Sequence, residues 1–197
     1  MNLPNRLTVI RIMMIPIIIL VYIFPYAQFN INIPVFYIKN LSISLINIVV
    51  LILFLIASFT DYLDGYIARK NNLITTFGKF ADPIADKLLV NSLYILFVSK
   101  GIIPVVPIII MVARDTIVDG CRMMAAQSGV VVAAGYLGKL KTVLQMLSII
   151  FILLNNIPFE FIRIPISDIT LWFATFVSMS SGYSYFNQLK EFIFESK

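Results

Sequence analysis

Long apolar runs separated by short polar clusters dominate the chain. They cover residues 7–24, 41–59, 84–98, 102–118, 143–158 and 169–186. Each approaches the ~20 residues a helix needs to cross the hydrocarbon core of a bilayer. The pattern predicts an all-α, polytopic membrane protein with six transmembrane helices. Prolines mostly fall between the runs: Pro104 and Pro107 stand where the fourth span begins, and Pro158 and Pro165 bracket the next connection. There a missing N–H costs no helical hydrogen bond. Pro16 is the exception and is expected to kink the first helix. Segment 25–40 mixes Pro25 and Pro34 with Tyr26, Phe29, Phe36 and Tyr37, which reads as an interfacial loop rather than a helix. Beyond residue 183, the near-helical spacing of Phe186, Leu189, Phe192 and Ile193 reads as a packed or interface-lying end of helix six. With no internal repeat, low-complexity linker or charge run, residues 1–197 read as one integral membrane domain.

Composition sharpens this picture. The chain is 60% hydrophobic and only 13% charged, with a mean hydropathy of +0.95, against about 25% charged residues in an ordinary soluble domain. Its net charge of +5 suits basic membrane edges better than a nucleic-acid interface. The first run lacks an A-x-A-like cleavage site and is flanked by Arg6 and Arg11, so it reads as a retained span with its start in the cytoplasm. Six spans then put Arg6, Arg11, Arg69, Lys70, Lys79, Lys87, Arg114, Arg122, Lys139, Lys141, Lys190 and Lys197 on or near the cytoplasmic side. Lys39, Lys100 and Arg163 lie opposite, and twelve against three favours that orientation. Cys121 is the single cysteine and there is no histidine. An intrachain disulfide and a thiolate metal cluster are thereby excluded, and carboxylates become the natural candidates for both metal ligation and proton transfer.

Those carboxylates are concentrated. Asp61, Asp64, Asp82 and Asp86 share one 26-residue segment with Gly65, Ala68, Arg69 and Gly78. At 100° per residue, with Asp61 at zero, Asp64 falls at about −60°, Gly65 at about +40° and Ala68 at about −20°, one stripe roughly 100° wide. Two acids and two small residues thus share a helical face, where missing bulk lets a ligand approach the backbone. Asp82 and Asp86 are four apart and share a face as well. Asp82-Pro83 looks like a cap followed by a first-turn proline, which would start helix three there. Four acids this close repel unless a cation neutralises them. All-oxygen donors suit Mg²⁺, Mn²⁺ or Ca²⁺, and two metals ~3.5–4 Å apart would suit substitution at phosphorus. A lone aspartate at a helix end is usually an ordinary solvated residue. Eight fixed residues at fixed offsets, however, arise by chance with a probability on the order of 10⁻¹⁰ per start position.

The segment DYLDGYIARKNNLITTFGKFADPIAD matches D-x2-D-G-x2-A-R-x8-G-x3-D-x3-D at every fixed position and so resembles the CDP-alcohol phosphotransferase family. That resemblance implies the family's helical membrane fold and transfer of a phosphatidyl-type or phosphoalcohol group from a CDP-linked donor to an alcohol, with release of CMP. It implies that Asp61, Asp64 and Asp82 ligate metal and that Asp86 shares a metal and acts as base. Gly65, Ala68, Arg69 and Gly78, with Asp61, would seat the cytidine diphosphate, and Asn5, Thr8 and Thr75 join them as nucleotide contacts. A divalent cofactor, Mg²⁺ or Mn²⁺ and two per site, and a homodimer follow from the same resemblance.

The segments NLPNRLTVIRI and GYLGKLKT look most like bacterial members that use CDP-diacylglycerol as donor and sn-glycerol 3-phosphate as acceptor, at the plasma membrane with the active site facing the cytoplasm. Such an acceptor needs a second basic site for its phosphate. Arg114 and Arg122 are eight apart, about 80° on a helical wheel, and Lys139 and Lys141 begin helix five on the same side. These four are the expected glycerol-phosphate site. The competing reading is cytoplasmic anchoring, with Asp115 and Asp119 as local partners for Arg122. Two alternatives to the whole assignment remain: another acceptor such as serine, inositol phosphate or phosphatidylglycerol, and a divalent-cation carrier built on intramembrane acids. Arg69 and the paired small residues weigh against the carrier.

Overall fold

A computed structural model describes residues 2–38, 41–71, 73, 75–127 and 135–194, with side chains for all of these except 38, 76, 79, 80, 126, 127 and 189–194. Six α-helices carry the fold: α1 (Leu3–Ile23), α2 (Leu45–Lys70), α3 (Thr76–Ser99), α4 (Val105–Gln127), α5 (Tyr136–Leu153) and α6 (Ile166–Phe194). Of these, α1, α2 and α5 are long and apolar enough to cross a membrane.

The expectation of an all-helical chain needs one correction. Residues 41–44 do not begin a span: Val35–Ile38 (β1) and Leu41–Ser44 (β2) pair antiparallel, Val35 opposite Ser44, and Ser44 then caps α2 by accepting from the N–H of Ile46. An apolar run alone does not separate strand from helix, and the first four residues of this one, Leu-Ser-Ile-Ser, alternate apolar and polar with the period of a strand. At the other end α2 continues beyond residue 59 to Lys70. Asp61 to Arg69 are therefore its last turns rather than a loop.

A second correction concerns α3. It starts at Thr76, capped by Thr75, whose Oγ1 accepts from the N–H of Gly78 at 3.0 Å. Asp82 is not the cap, and Pro83 lies inside the helix. The Thr75 side chain satisfies an otherwise unpaired first-turn N–H, so the helix begins seven residues before the first apolar run suggested. Pro16 likewise lies inside α1. At the sixth helix, the backbone continues to Phe194; the side chains of Leu189, Phe192 and Ile193 lie outside the described residues, as do those of Lys39, Lys79, Lys190 and Lys197.

Helix α1 packs against α2 and α3, while α4 and α5 pack against α6. Along α1 the buried positions are Thr8, Arg11, Ile15, Ile18 and Tyr22, and the exposed ones include Ile10, Met13, Ile17 and Leu20. Both sets advance by three and four, the spacing of one helical face. The outward face is the apolar one, which suits lipid rather than water as solvent, and the chain is accordingly a membrane protein. Its core is formed by Phe54, Leu93, Tyr94, Phe97, Ile149 and Leu171 among others. Within it Tyr94 Oη lies 2.5 Å from Ser148 Oγ and donates to the Gln145 carbonyl at 3.1 Å, so the buried hydroxyls are mutually satisfied. Lys100, at the end of α3, donates to the Tyr22 carbonyl at 3.0 Å and stands 3.7 Å over that ring, joining α1 and α3 at the end remote from the acidic segment.

Candidate active site

The start of α1, the last turns of α2 and the start of α3 enclose a cavity of about 320 Å³ lined by Asn5, Thr8, Gly65, Ala68, Arg69, Thr75, Gly78 and Asp82, together with Pro4 and Leu73. Residues 70 to 74 positions apart are joined there by hydrogen bonds. Thr75 Oγ1 donates to Asn5 Oδ1 at 2.8 Å, Thr8 Oγ1 donates to Asp82 Oδ1 at 2.7 Å, and Asn2 Nδ2 reaches the Leu73 carbonyl at 3.0 Å. The small residues are needed. A Cβ on Gly78 would sit 3.3 Å from Thr75 Oγ1 and 3.5 Å from Asp82 Oδ2, tighter than most side-chain contacts and directly against the cap. Every expected nucleotide contact lines this cavity except Asp61.

Asp61 and Asp64 are occupied elsewhere. Arg11 of α1 sends Nη1 to Asp61 Oδ1 and Nη2 to Asp64 Oδ2. Arg11 is 0% and Asp64 2% exposed, so that pair is desolvated, while the Asp61 side chain keeps 35% of its surface exposed; the guanidinium supplies the counter-charge both acids require. Sequence reasoning counted Arg11 only as part of a basic flank. The available signal was its place in the Thr8–Arg11–Ile15–Ile18 stripe, an arginine on the inward face of an apolar helix.

A divalent metal fits this donor set in its chemistry. The acids are hard oxygen ligands, and Asp61 interacts electrostatically with Asp64, Asp82 and Asp86. As the side chains lie, no three acidic, thiol or imidazole groups among the described residues converge on one point. Arg11 stands between two of them. Asp61, Asp64, Asp82 and Asp86 are the residues that would hold a metal.

Asp86, one turn beyond Asp82, does not line that first cavity. It lines a small recess of about 40 Å³ with Lys87, Asn91, Asp115, Lys141, Thr142 and Gln145. That recess adjoins a third cavity of about 170 Å³, which shares Lys87, Asp115, Lys141 and Thr142 with it and adds Arg114, Asp119, Arg122, Lys139 and Tyr185. All four basic residues expected to hold a phosphate are therefore in one place. Lys87 joins them; its only signal in the sequence was its position beside Asp86.

The local pairing differs from the expected one. Asp119 bonds Lys87 rather than Arg122. Asp115 accepts from Lys141 at 2.6 Å and from Arg114 at 2.8 Å. Arg122 instead donates to Tyr185 Oη at 2.7 Å. Residues 115 and 122 are seven apart and nearly on one face, but Asp115 is drawn to the buried ammonium of Lys141, where a pair in low dielectric is strongest. Five cationic groups and two carboxylates line this cavity, leaving the excess charge that an anion seeks.

Over most of its length the chain is similar to known proteins. The family described as CDP-alcohol phosphatidyltransferase matches residues 1–180. A Bacillus subtilis (strain 168) protein is 42% identical over 187 residues, covering 95% of this chain and 94% of its own length. Proteins of Rickettsia typhi and Rickettsia prowazekii are each 42% identical over 192 residues, covering 97% of this chain and 98% and 97% of themselves. All three are named CDP-diacylglycerol–glycerol-3-phosphate 3-phosphatidyltransferase.

Proposed function

The chain belongs to the CDP-alcohol phosphatidyltransferase family, and on that footing we propose that it transfers the phosphatidyl group of CDP-diacylglycerol to sn-glycerol 3-phosphate, giving phosphatidylglycerol phosphate and CMP. One observation carries this reading: a small-residue cavity at the acidic motif, lined by Asp82, lies beside a separate cationic cavity whose adjoining recess is lined by Asp86, one helical turn on. Two sites of such different character suit a nucleotide donor and a phosphate-bearing acceptor. Serine offers the cluster of Arg114, Arg122, Lys139 and Lys141 a single carboxylate beside an ammonium, a poorer match for several cations than a phosphate dianion. A cation path is disfavoured by Arg11, which stands between Asp61 and Asp64.

Asn5, Thr8, Gly65, Ala68, Arg69, Thr75 and Gly78 seat the cytidine diphosphate group. The first turn of α3 turns its N–H groups and positive dipole end toward the pyrophosphate. The family is generally dependent on a divalent metal, which Asp61, Asp64, Asp82 and Asp86 would hold; Mg²⁺ or Mn²⁺, two per site, is the proposed complement. When bound, the metal neutralises pyrophosphate charge and favours departure of CMP. Arg114, Arg122, Lys139 and Lys141 hold the acceptor phosphate so that the free hydroxyl lies in line with the phosphorus bearing diacylglycerol. Asp86 takes the hydroxyl proton as the new P–O bond forms, and the P–O bond to CMP breaks with its electron pair leaving on CMP. No covalent enzyme intermediate is needed.

A water-soluble acceptor and a water-soluble nucleotide product, set against a donor with two lipid tails, suit a site at a membrane face. We assign it to the cytoplasmic face of a bacterial plasma membrane, with the N-terminus on the same side, six transmembrane helices in a single domain of residues 1–197, and a homodimer as the assembly. The excess of basic residues on that side supports the orientation. Purified protein given CDP-diacylglycerol, Mg²⁺ or Mn²⁺ and each candidate alcohol in turn tests the reading. Metal-dependent CMP release with sn-glycerol 3-phosphate is expected. Release with serine or inositol phosphate instead overturns the acceptor, and no release with any acceptor overturns the enzyme.

A further inference from the structure

The two arginines of the cationic cavity are held from one side by a short stretch of α6. Arg114 Nη2 donates to Ser181 Oγ at 2.6 Å, and Arg122 Nη2 donates to Tyr185 Oη at 2.7 Å. The Tyr185 ring lies 4.7 Å from the Arg122 guanidinium carbon and 5.5 Å from that of Arg114. Between them in sequence, Gly182 leaves room for the Arg114 stem: a Cβ there would stand 2.9 Å from Arg114 Cγ, a carbon too close to its backbone to swing away. Tyr185 Oη also accepts from the N–H of Gly135 at 2.8 Å, at the start of the helix that carries Lys139 and Lys141. Ser181 and Tyr185 are 1% and 5% exposed, so both acceptors belong to the packed interior, while the two guanidinium side chains they hold are only partly buried.

We propose that Ser181, Gly182 and Tyr185 form a saddle on α6 that positions Arg114 and Arg122 for an incoming phosphate dianion. The chemistry of the saddle is what points to a ligand. Its acceptors are uncharged hydroxyls and a ring face, which fix a guanidinium without cancelling its charge. Among the described residues no carboxylate is ion-paired with Arg122 or Lys139. An arginine buried only for stability is better served by an acid. The Arg122 guanidinium is thus oriented in advance with its charge left for the substrate, while Arg114 is fixed between Ser181 and Asp115, a carboxylate it shares with Lys141; both lower the ordering cost of binding.

The inference rests on the acceptor-site reading, and its test separates the two. Tyr185→Phe keeps the ring and removes the hydroxyl; Ser181→Ala removes the other acceptor. Each is expected to raise the KM for sn-glycerol 3-phosphate, and the Ki of inorganic phosphate as competitor, by roughly tenfold, the worth of one hydrogen bond to a charged group. The KM for CDP-diacylglycerol and the thermal midpoint should stay near those of the unmodified protein. Gly182→Ala, which displaces the Arg114 stem, should act in the same direction. If the unmodified protein neither uses sn-glycerol 3-phosphate nor is inhibited competitively by phosphate, the reading of the cavity itself fails. If it does both, and the hydroxyl-deleting variants leave KM and Ki unchanged or alter donor and acceptor constants equally, the saddle is structural only.

Discussion

Arg11 and Asp64 form a buried ion pair across 53 residues of sequence, joining the first helix to the acidic motif of the second. The same guanidinium reaches Asp61, so α1 is tied electrostatically to the carboxylates proposed to hold metal. Removing it leaves two acids in a desolvated site. Arg11→Met is expected to destabilise the metal-free protein by about 3–5 kcal/mol, as when one partner of a buried pair is lost. Added Mg²⁺ or Mn²⁺ should recover more of the thermal midpoint in this variant than in the unmodified protein, because binding to the folded state alone stabilises it. Thermal unfolding in detergent with and without metal measures both. Equal metal shifts in the two proteins count against a shared counter-ion role.

Asp86 lines the recess that faces the basic cavity rather than the nucleotide. Asp86→Asn keeps the shape and removes the proton acceptor. Turnover should drop roughly 10²- to 10⁴-fold, the usual worth of a general base, while CDP binding, followed by displacement of a labelled nucleotide, persists. Turnover near that of the unmodified protein removes Asp86 from the role of base.

Much of this site was legible from spacing. The offsets among Asp61, Asp64, Gly65 and Ala68 are those of one helical face, and α2 does extend through them. The same arithmetic placed Arg114 and Arg122 near each other on α4. What spacing could not show was pairing between distant segments. Arg11 belongs to the motif only because α1 packs beside α2, and Lys87 and Tyr185 join the basic cavity only because α3 and α6 meet α4 there. Local chemistry misled in two places. The run at 41–59 reads as one span, yet its first four residues, Leu-Ser-Ile-Ser, pair as a strand, and Asp82-Pro83 resembles a helix start although Thr75 already provides one.

Gly65 lines the nucleotide cavity, and a Cβ there would meet only the Arg69 guanidinium, at 3.5 Å. Alanine should therefore be tolerated. Gly65→Leu projects three further carbons into a cavity of about 320 Å³ and should chiefly raise the KM for CDP-diacylglycerol, leaving that for glycerol phosphate near normal. Unchanged donor kinetics in the leucine variant would move the nucleotide out of this cavity.

The basic residues should not contribute equally, and their burial says which matters more. Arg114 is largely buried and oriented by Ser181 and Asp115, whereas Lys139 is exposed. A charged hydrogen bond from a preset guanidinium is worth about 1.5–3 kcal/mol, so Arg114→Ala should lower kcat/KM for glycerol phosphate by roughly 10- to 150-fold. Arg114→Lys restores charge but not the fork, and recovers only part of that. Lys139→Ala should have a smaller effect that shrinks further as salt is raised, since an exposed charge is screened over a Debye length of about 8–10 Å. Steady-state kinetics with acceptor varied at two ionic strengths distinguishes the cases. A salt-sensitive Arg114 effect equal to that of Lys139 would mean that the cavity attracts phosphate by diffuse charge alone, with no preset fork.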